Sequence, residues 1–197
     1  MLQLTMRKLF PLAFLVFVVL GCNTDEPTIK ECNYDYTCVL VNMGNYSESN
    51  GSIALYNERT GIVEQEVYTK ANGRKLASIV ESVVLHNDLL LLLCNNSDKL
   101  VFLNSATMKE VCEPITTIGV PRYAVVKGNY AYVSCWNKTN KQSGAVILPQ
   151  HISKVDIVSK TVIGSIATSG QPEGMLLCGD TLFVASGNGV DVYNTTT

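Results

Sequence analysis

The sequence predicts an all-β fold built from a recurring unit of four strands, and three observations predict it. Short runs rich in β-branched and aromatic residues are broken by Gly, Asn, Asp and Pro, and no long stretch keeps a helical period. Three segments, Glu81–Leu93, Arg122–Ser134 and Glu173–Ala185, align without a gap, each reading strand, tight turn, strand. Behind them a second pattern recurs, an Asn or Asp that closes a strand followed three residues later by Thr or Ser, at positions 57, 104, 156 and 194.

Each element has a local reason. The turns of the aligned segments fall on Asn87-Asp88, Gly128-Asn129 and Gly179-Asp180, residue types that supply the positive φ a two-residue hairpin demands. An Asn or Asp at a strand end bonds its own backbone two residues on, and the hydroxyl behind it helps hold the turn. The steps between those positions, 47, 52 and 38 residues, each accommodate four strands, the content of a β-propeller blade. Strands are expected at 38–42, 51–57 and 62–68, then two sets of four, then three more ending at Asn194. The domain predicted over 37–197 is therefore a β-propeller of four-stranded antiparallel blades, incomplete at about three and a half blades. Either the reading frame is truncated or two copies close one ring. The long connections, 43–50, 69–80, 95–99, 113–121, 136–151 and 167–172, gather at one end of the blades, where binding is expected.

The N-terminus sets a cellular address. Arg7 and Lys8 precede the uncharged apolar run 9–20, which is shorter than the roughly 20 residues of a permanent membrane span. It ends in Val19-Leu20-Gly21-Cys22, which resembles the lipobox of bacterial lipoproteins. Small Gly21 lets the signal peptidase reach the bond, and the Cys22 thiol takes the diacylglycerol. Residues 1–21 are then a signal peptide, and 22–36 a tether anchored through the lipid on Cys22. An ordinary secretory signal that happens to contain a cysteine is the plainer alternative. The polar stretch Asn23-Thr24-Asp25-Glu26-Pro27 is similar to the acidic surface-export signal of Bacteroidetes lipoproteins, although a plain flexible tether also has this composition. The expected location is the outer membrane, at the cell surface or, alternatively, on its periplasmic face.

Composition narrows the function. The 47% hydrophobic content suffices for a core, and a formal net charge of −2 with no basic run beyond the signal argues against nucleic acid. Of the seven cysteines, only Cys32 and Cys38 lie close in sequence, in a segment where an oxidising compartment would bridge them. No CxxC pair occurs, so zinc-ribbon and thioredoxin chemistry is not expected, and neither is a cofactor or a metal. The two histidines, the absence of a Gly-x-Ser-x-Gly elbow and the absence of a phosphate-binding glycine loop point away from an enzyme.

Binding candidates follow from register. Arg122, Tyr123 and Glu173 open inner strands at the long-loop end. Trp136 and Asn137 follow a second strand, and Asn95 and Asn96 hold the equivalent place one repeat earlier. An amphipathic aromatic beside adaptable amides suits a sugar or a planar molecule, by stacking and hydrogen bonding. Trp136 packing over its own blade is the alternative, as is structural pairing of Arg122 with Glu173. Asp180-Thr181-Leu182 matches the Asp-Thr/Ser-apolar pattern of Bacteroidetes O-glycosylation, with Thr181 as the acceptor.

Gly119-Val-Pro-Arg122, Ala131-Tyr-Val-Ser134, Val155-Asp156, Gly170-Gln-Pro-Glu-Gly-Met175 and Leu182-Phe-Val-Ala185 resemble the YVTN or YncE-like propeller repeat. Asn50-Gly-Ser-Ile53, Asn72-Gly-Arg74, Pro121-Arg-Tyr123 and Pro172-Glu-Gly-Met175 are similar, more narrowly, to DUF5074-type surface lipoproteins of Bacteroidetes. The resemblance covers nearly all of 39–197 and departs from the family in stopping short of its usual seven blades. It implies a non-catalytic envelope lipoprotein that captures a small nutrient such as cobalamin for an outer-membrane transporter. An envelope scaffold for protein partners and a non-functional fragment are the alternatives, and a remnant quinoprotein- or lactonase-like enzyme is the least favoured.

Overall fold

The computed structural model describes residues 34–196, and Cys22 and Cys32 lie outside them. Strands β1 (Cys38–Asn42), β2 (Ser52–Asn57) and β3 (Ile62–Glu64) form the first antiparallel sheet, in that order. A short helix, α1 (Val67–Asn72), leads to the second sheet of β4 (Val80–His86), β5 (Leu89–Cys94) and β6 (Lys99–Asn104). Next come β7 (Val120–Lys127), β8 (Tyr130–Trp136) and a small hairpin of β9 (Lys138–Thr139) and β10 (Val146–Leu148). With β11 (His151–Asp156) and β12 (Thr161–Ala167), β7 and β8 make a four-stranded sheet ordered β7-β8-β11-β12. The last sheet is β13 (Pro172–Cys178), β14 (Thr181–Ser186) and β15 (Gly189–Asn194).

Each sheet is a meander whose strands pair in sequence order, and successive sheets pack through their first strands, β4 on β7 and β7 on β13. Three apolar layers fill the spaces between them. Ile53, Leu55, Leu90, Leu92, Val101 and Leu103 lie between the first and second sheets. Leu91, Phe102, Ala131, Val133 and Val155 lie between the second and third. Tyr132, Ile152, Leu182 and Val184 lie between the third and fourth. Because both faces of β5 and β8 are covered, β5 reads as an unbroken apolar run and β8 as one interrupted only by Ser134, rather than as alternating strands. The architecture is all-β and propeller-like.

The repeat seen in sequence has a structural basis. The three turns join His86 to Leu89, Lys127 to Tyr130 and Cys178 to Thr181, with positive φ on Asn87, Gly128 and Gly179. Asn57 Oδ1 accepts the Arg59 and Thr60 backbone N–H groups at 2.9 and 3.2 Å. Asn104, Asp156 and Asn194 accept the backbone N–H two residues on at 3.1, 2.8 and 2.8 Å. The residue after three of these, Ser105, Ile157 and Thr195, donates its N–H to the carbonyl of Asp88, Asn129 and Asp180 respectively, at 2.8–2.9 Å. The Asx turn is thus stitched to the hairpin turn beside it.

The strand pattern departs from expectation in three places. The strand expected over 62–68 ends at Glu64, and α1 follows. Glu66 turns the chain at φ 57°, so Val67 and Tyr68 reach the core from a helical turn. The fourth strand expected in the second sheet is only two isolated bridges to β6, Leu103 with Glu110 and Leu100 with Ile115. Between them stands Pro114, which has no N–H for a ladder. At the tether boundary, the Tyr34 N–H bonds the Ala106 carbonyl at 2.8 Å and the Tyr36 hydroxyl bonds that of Ser105 at 3.0 Å, so residues 34–36 already belong to the domain.

Candidate functional site

The long connections meet at one end of the sheets, as the antiparallel register requires. There the Gly51 N–H bonds the Ser78 carbonyl at 2.8 Å, and Asn96 ties three loops together. Its Oδ1 accepts from the Ile79 N–H at 2.7 Å and the Ser78 hydroxyl at 2.8 Å, while its Nδ2 donates to Ser49 Oγ at 2.7 Å. Asn95 donates to the Pro121 carbonyl at 3.2 Å, and Asn137 accepts the Gln150 N–H at 2.7 Å. These three amides staple loops, with much of their polar capacity engaged inside the fold.

Arg122, Tyr123, Trp136 and Glu173 do come together. The Arg122 guanidinium stacks 3.9 Å from the Trp136 ring centroid and 5.8 Å from that of Tyr123. Its Nε donates to Glu173 Oε2 at 3.2 Å, and its Nη1 lies 2.7 Å from Glu81 Oε2 as an ion pair without hydrogen-bond alignment. Trp136 Nε1 donates to the Pro172 carbonyl at 3.1 Å. Glu81, Arg122 and Glu173 open the three aligned segments, so the repeat delivers an acid, a base and an acid side by side on β4, β7 and β13. The Glu81 side chain is 3% exposed and that of Arg122 17%. Burial raises the Glu81 pKa; Arg122 opposes the rise and Glu173 adds to it. The cluster pairs its charges and ties three sheets together, while Glu81 Oε2 is left without an aligned hydrogen bond. Glu81 was legible in the alignment as the third member of this set.

A cleft of about 710 Å³ lies between the β9–β10 hairpin and strands β11 and β12. Val146, Leu148, Val162 and Ala167 give it apolar walls, and His151, Ser153 and Thr168 bring polar groups to it. His151 Nδ1 lies 2.8 Å from the Pro149 carbonyl and Nε2 2.8 Å from Ser153 Oγ. A carbonyl only accepts, so in the neutral ring Nδ1 carries the hydrogen and Nε2 takes that of Ser153. Gly119, at φ +94°, lets this corner close: a Cβ there would stand 3.2 Å from Leu148 Cδ2 and 3.3 Å from His151 Cε1. The Thr168 hydroxyl is buried with no hydrogen-bond partner. Sequence reasoning placed this insertion but not its cavity, for which the alternation Val146, Leu148 was the available signal.

Other predicted residues stand apart. Thr181 opens β14 at the tight-turn end, opposite the long loops. His86 also sits at that end, 3.3 Å from Asn87 Nδ2. Cys38 is exposed and has no disulfide partner among the described residues, and its expected partner Cys32 lies outside them. Among the described residues no His, Cys, Asp and Glu cluster is arranged to hold a metal, and no helix is long and apolar enough to cross a membrane.

Comparison with known proteins places the fold. A family described as a domain of unknown function, DUF5074, matches residues 36–197. Among curated proteins, none matches the chain. The computationally designed Ika8 and Ika4 proteins are similar at TM-score 0.56, with 10% and 11% identity over 83% of this chain. That span is 45% of the Ika8 chain and 89% of the Ika4 chain. A chain of the mitotic checkpoint complex is similar at TM-score 0.55 and 13% identity, over 95% of this chain and 60% of that one. The chain therefore spans less than two thirds of the length of several structures it resembles, and the likeness is one of fold.

Proposed function

This chain belongs to the DUF5074 family, and from that membership and the cleft beside β12 we propose a non-catalytic binding protein of the bacterial cell envelope. The observation that carries the reading is the cleft itself, whose roughly 710 Å³ falls in the range of small-molecule sites. Its apolar walls and few convergent polar groups have the usual composition of such sites.

In this reading the domain is a partial YncE-like propeller of about three and a half blades, carried on a lipid at Cys22 and facing outward from the outer membrane. Its partner is an outer-membrane transporter that receives the captured nutrient. Cobalamin, the ligand implied by family resemblance, is larger than the cleft encloses, so it would insert only one edge and rest against the long-loop end. The Arg122–Trp136 cluster then acts as scaffold for the loop that forms the cleft, not as its floor.

Equilibrium dialysis of cyanocobalamin against the full chain, read by visible absorbance, tests this. Gly164 lines the cleft and a Cβ there would meet no atom within 4 Å, so Gly164→Phe is expected to crowd the site. Retention of the red ligand that Gly164→Phe abolishes supports the reading. No retention removes cobalamin, and retention indifferent to Gly164→Phe removes the cleft.

A further inference from the structure

We propose that a second, smaller cavity binds a free amino acid with a polar side chain. The cavity, of about 310 Å³, lies between the first two long connections and is walled by the end of β1, residues 49–53, helix α1 and residues 75–77. It shares no lining residue with the cleft beside β12. Its volume stands at the lower end of small-molecule sites, which restricts the occupant to a small one. The walls meet closely. The Gly51 N–H bonds the Ser78 carbonyl at 2.8 Å, and a Cβ on Gly51 would stand 2.6 Å from the Met43 carbonyl oxygen. Three lining residues that carry side chains, Ser49, Glu66 and Ala77, hold left-handed backbone at φ 50°, 57° and 52°. Each such residue costs on the order of 1 kcal/mol or more, and they gather where a fold shapes a ligand clamp.

The charges on this cavity define the ligand. Only two charged residues line it, Glu66 and Lys75. The charges around them are matched, Lys70 with Glu64 at 3.0 Å and Arg74 with Glu110 at 2.6 Å. Among the described residues, Glu66 and Lys75 form an ion pair neither with each other nor with another group. The Glu66 carboxylate accepts the Thr69 hydroxyl at 3.1 Å and has further acceptor capacity. An unmatched ammonium and an unmatched carboxylate on one small cavity complement a zwitterion. Lys75 takes its α-carboxylate and Glu66 its α-ammonium, both as charge-assisted hydrogen bonds. Ser49 Oγ accepts from Asn96 at 2.7 Å and Ser52 Oγ from Asn42 at 3.4 Å, so each hydroxyl keeps its hydrogen for an acceptor on the ligand side chain.

Isothermal titration calorimetry of L-asparagine, L-glutamine and L-serine against the full chain in non-ionic detergent tests this. Saturable binding of at least one of the three is expected. Lys75→Met and Glu66→Gln should each weaken it at least about tenfold, the scale of a hydrogen bond to a charged group. Both residues are exposed, so far-UV circular dichroism is expected to stay unchanged. Lys141→Met removes an exposed lysine that lines neither cavity and should bind as the parent does. N-acetyl-L-asparagine lacks the α-ammonium, L-asparaginamide lacks the α-carboxylate and L-leucine lacks the polar side chain; each should bind at least about tenfold more weakly than the tightest of the three. No binding of any of the three overturns the proposal, and so does binding that ignores either Lys75→Met or Glu66→Gln. Parent-like affinity for N-acetyl-L-asparagine, L-asparaginamide or L-leucine overturns it as well.

Discussion

The guanidinium of Arg122 lies 3.9 Å from the ring centroid of Trp136, the only tryptophan in the chain, and reaches acids on two other sheets from there. One side chain therefore ties β7 to β4 and β13, and the Trp136 emission reports on it directly. Arg122→Met removes the cation from the nearly buried Glu81 and is expected to cost about 3 kcal/mol, the scale for stranding one partner of a buried pair. Arg122→Lys keeps the charge but loses the planar stack and the fork, and falls between. Urea unfolding followed by tryptophan fluorescence measures both, and parent-like midpoints would refute the clamp.

Glu81 gives the same cluster a pH dependence. Its pKa is raised in the folded chain by burial, above the 4.5 of a free glutamate. Between those two values the folded state holds a proton that the unfolded state has lost, so stability falls as pH rises through that interval. The Glu81→Gln variant has no such proton. Thermal melts from about pH 4 to 7 should show the parent losing stability relative to Glu81→Gln as pH climbs. Parallel curves would contradict the burial argument.

The unpartnered Thr168 hydroxyl separates stability from binding. Thr168→Val replaces it with a methyl of the same shape and removes a buried polar atom that nothing satisfies. Stability is expected to stay level or rise by up to about 1 kcal/mol, while affinity for a cleft ligand, which the buried hydroxyl does not reach, stays unchanged. A marked loss of stability would mean the hydroxyl serves the fold.

Asn57 is buried, accepts two backbone N–H groups and donates to the Asp35 carbonyl at 3.1 Å. Asn57→Ala is expected to cost about 2 kcal/mol by leaving those groups unpaired. Asn194→Ala, at an exposed turn, should cost less than half of that. Chemical denaturation compares them, and equal costs would detach the Asx turn from burial.

Thiol reactivity offers a map of the fold. Burial pushes Cys94 and Cys135 up to about 12, whereas Cys38 and Cys178 are exposed. A thiol reagent at about pH 8 should label Cys178 in the native chain, and Cys94 and Cys135 only on unfolding. Rapid native labelling of Cys135 would place β8 outside the core.

Strand order, hairpins and the repeat were legible in the sequence because their causes are local. Asn87, Gly128 and Gly179 make turns through their own φ, and Asn57, Asn104, Asp156 and Asn194 bond backbone within three residues. The strand expected at 38–42 is β1 as observed. What failed was decided by distant partners. Helix α1 is six residues long, too short to show a period, and is held by Asn72 bonding to the Met108 carbonyl at 2.8 Å and to the Glu110 N–H at 2.9 Å.

The site divides along the same line. Sequence alone picked Arg122 and Glu173, since equivalent places in a repeat must neighbour one another once the sheets stack, and Trp136 as the lone tryptophan just after a second strand. It offered the pairing of Arg122 with Glu173 as one alternative but not Glu81 as the second acid, because the register between sheets sets the distance from Arg122 to Glu81. Nor could it show the cleft, which exists only where Val146 and Leu148 of one hairpin face Val162 and Ala167 of a separate strand. Periodicity and turn chemistry are properties of neighbours along the chain; ion pairs and cavities belong to residues brought together from far apart in the chain, and the packing of one sheet on the next decided those.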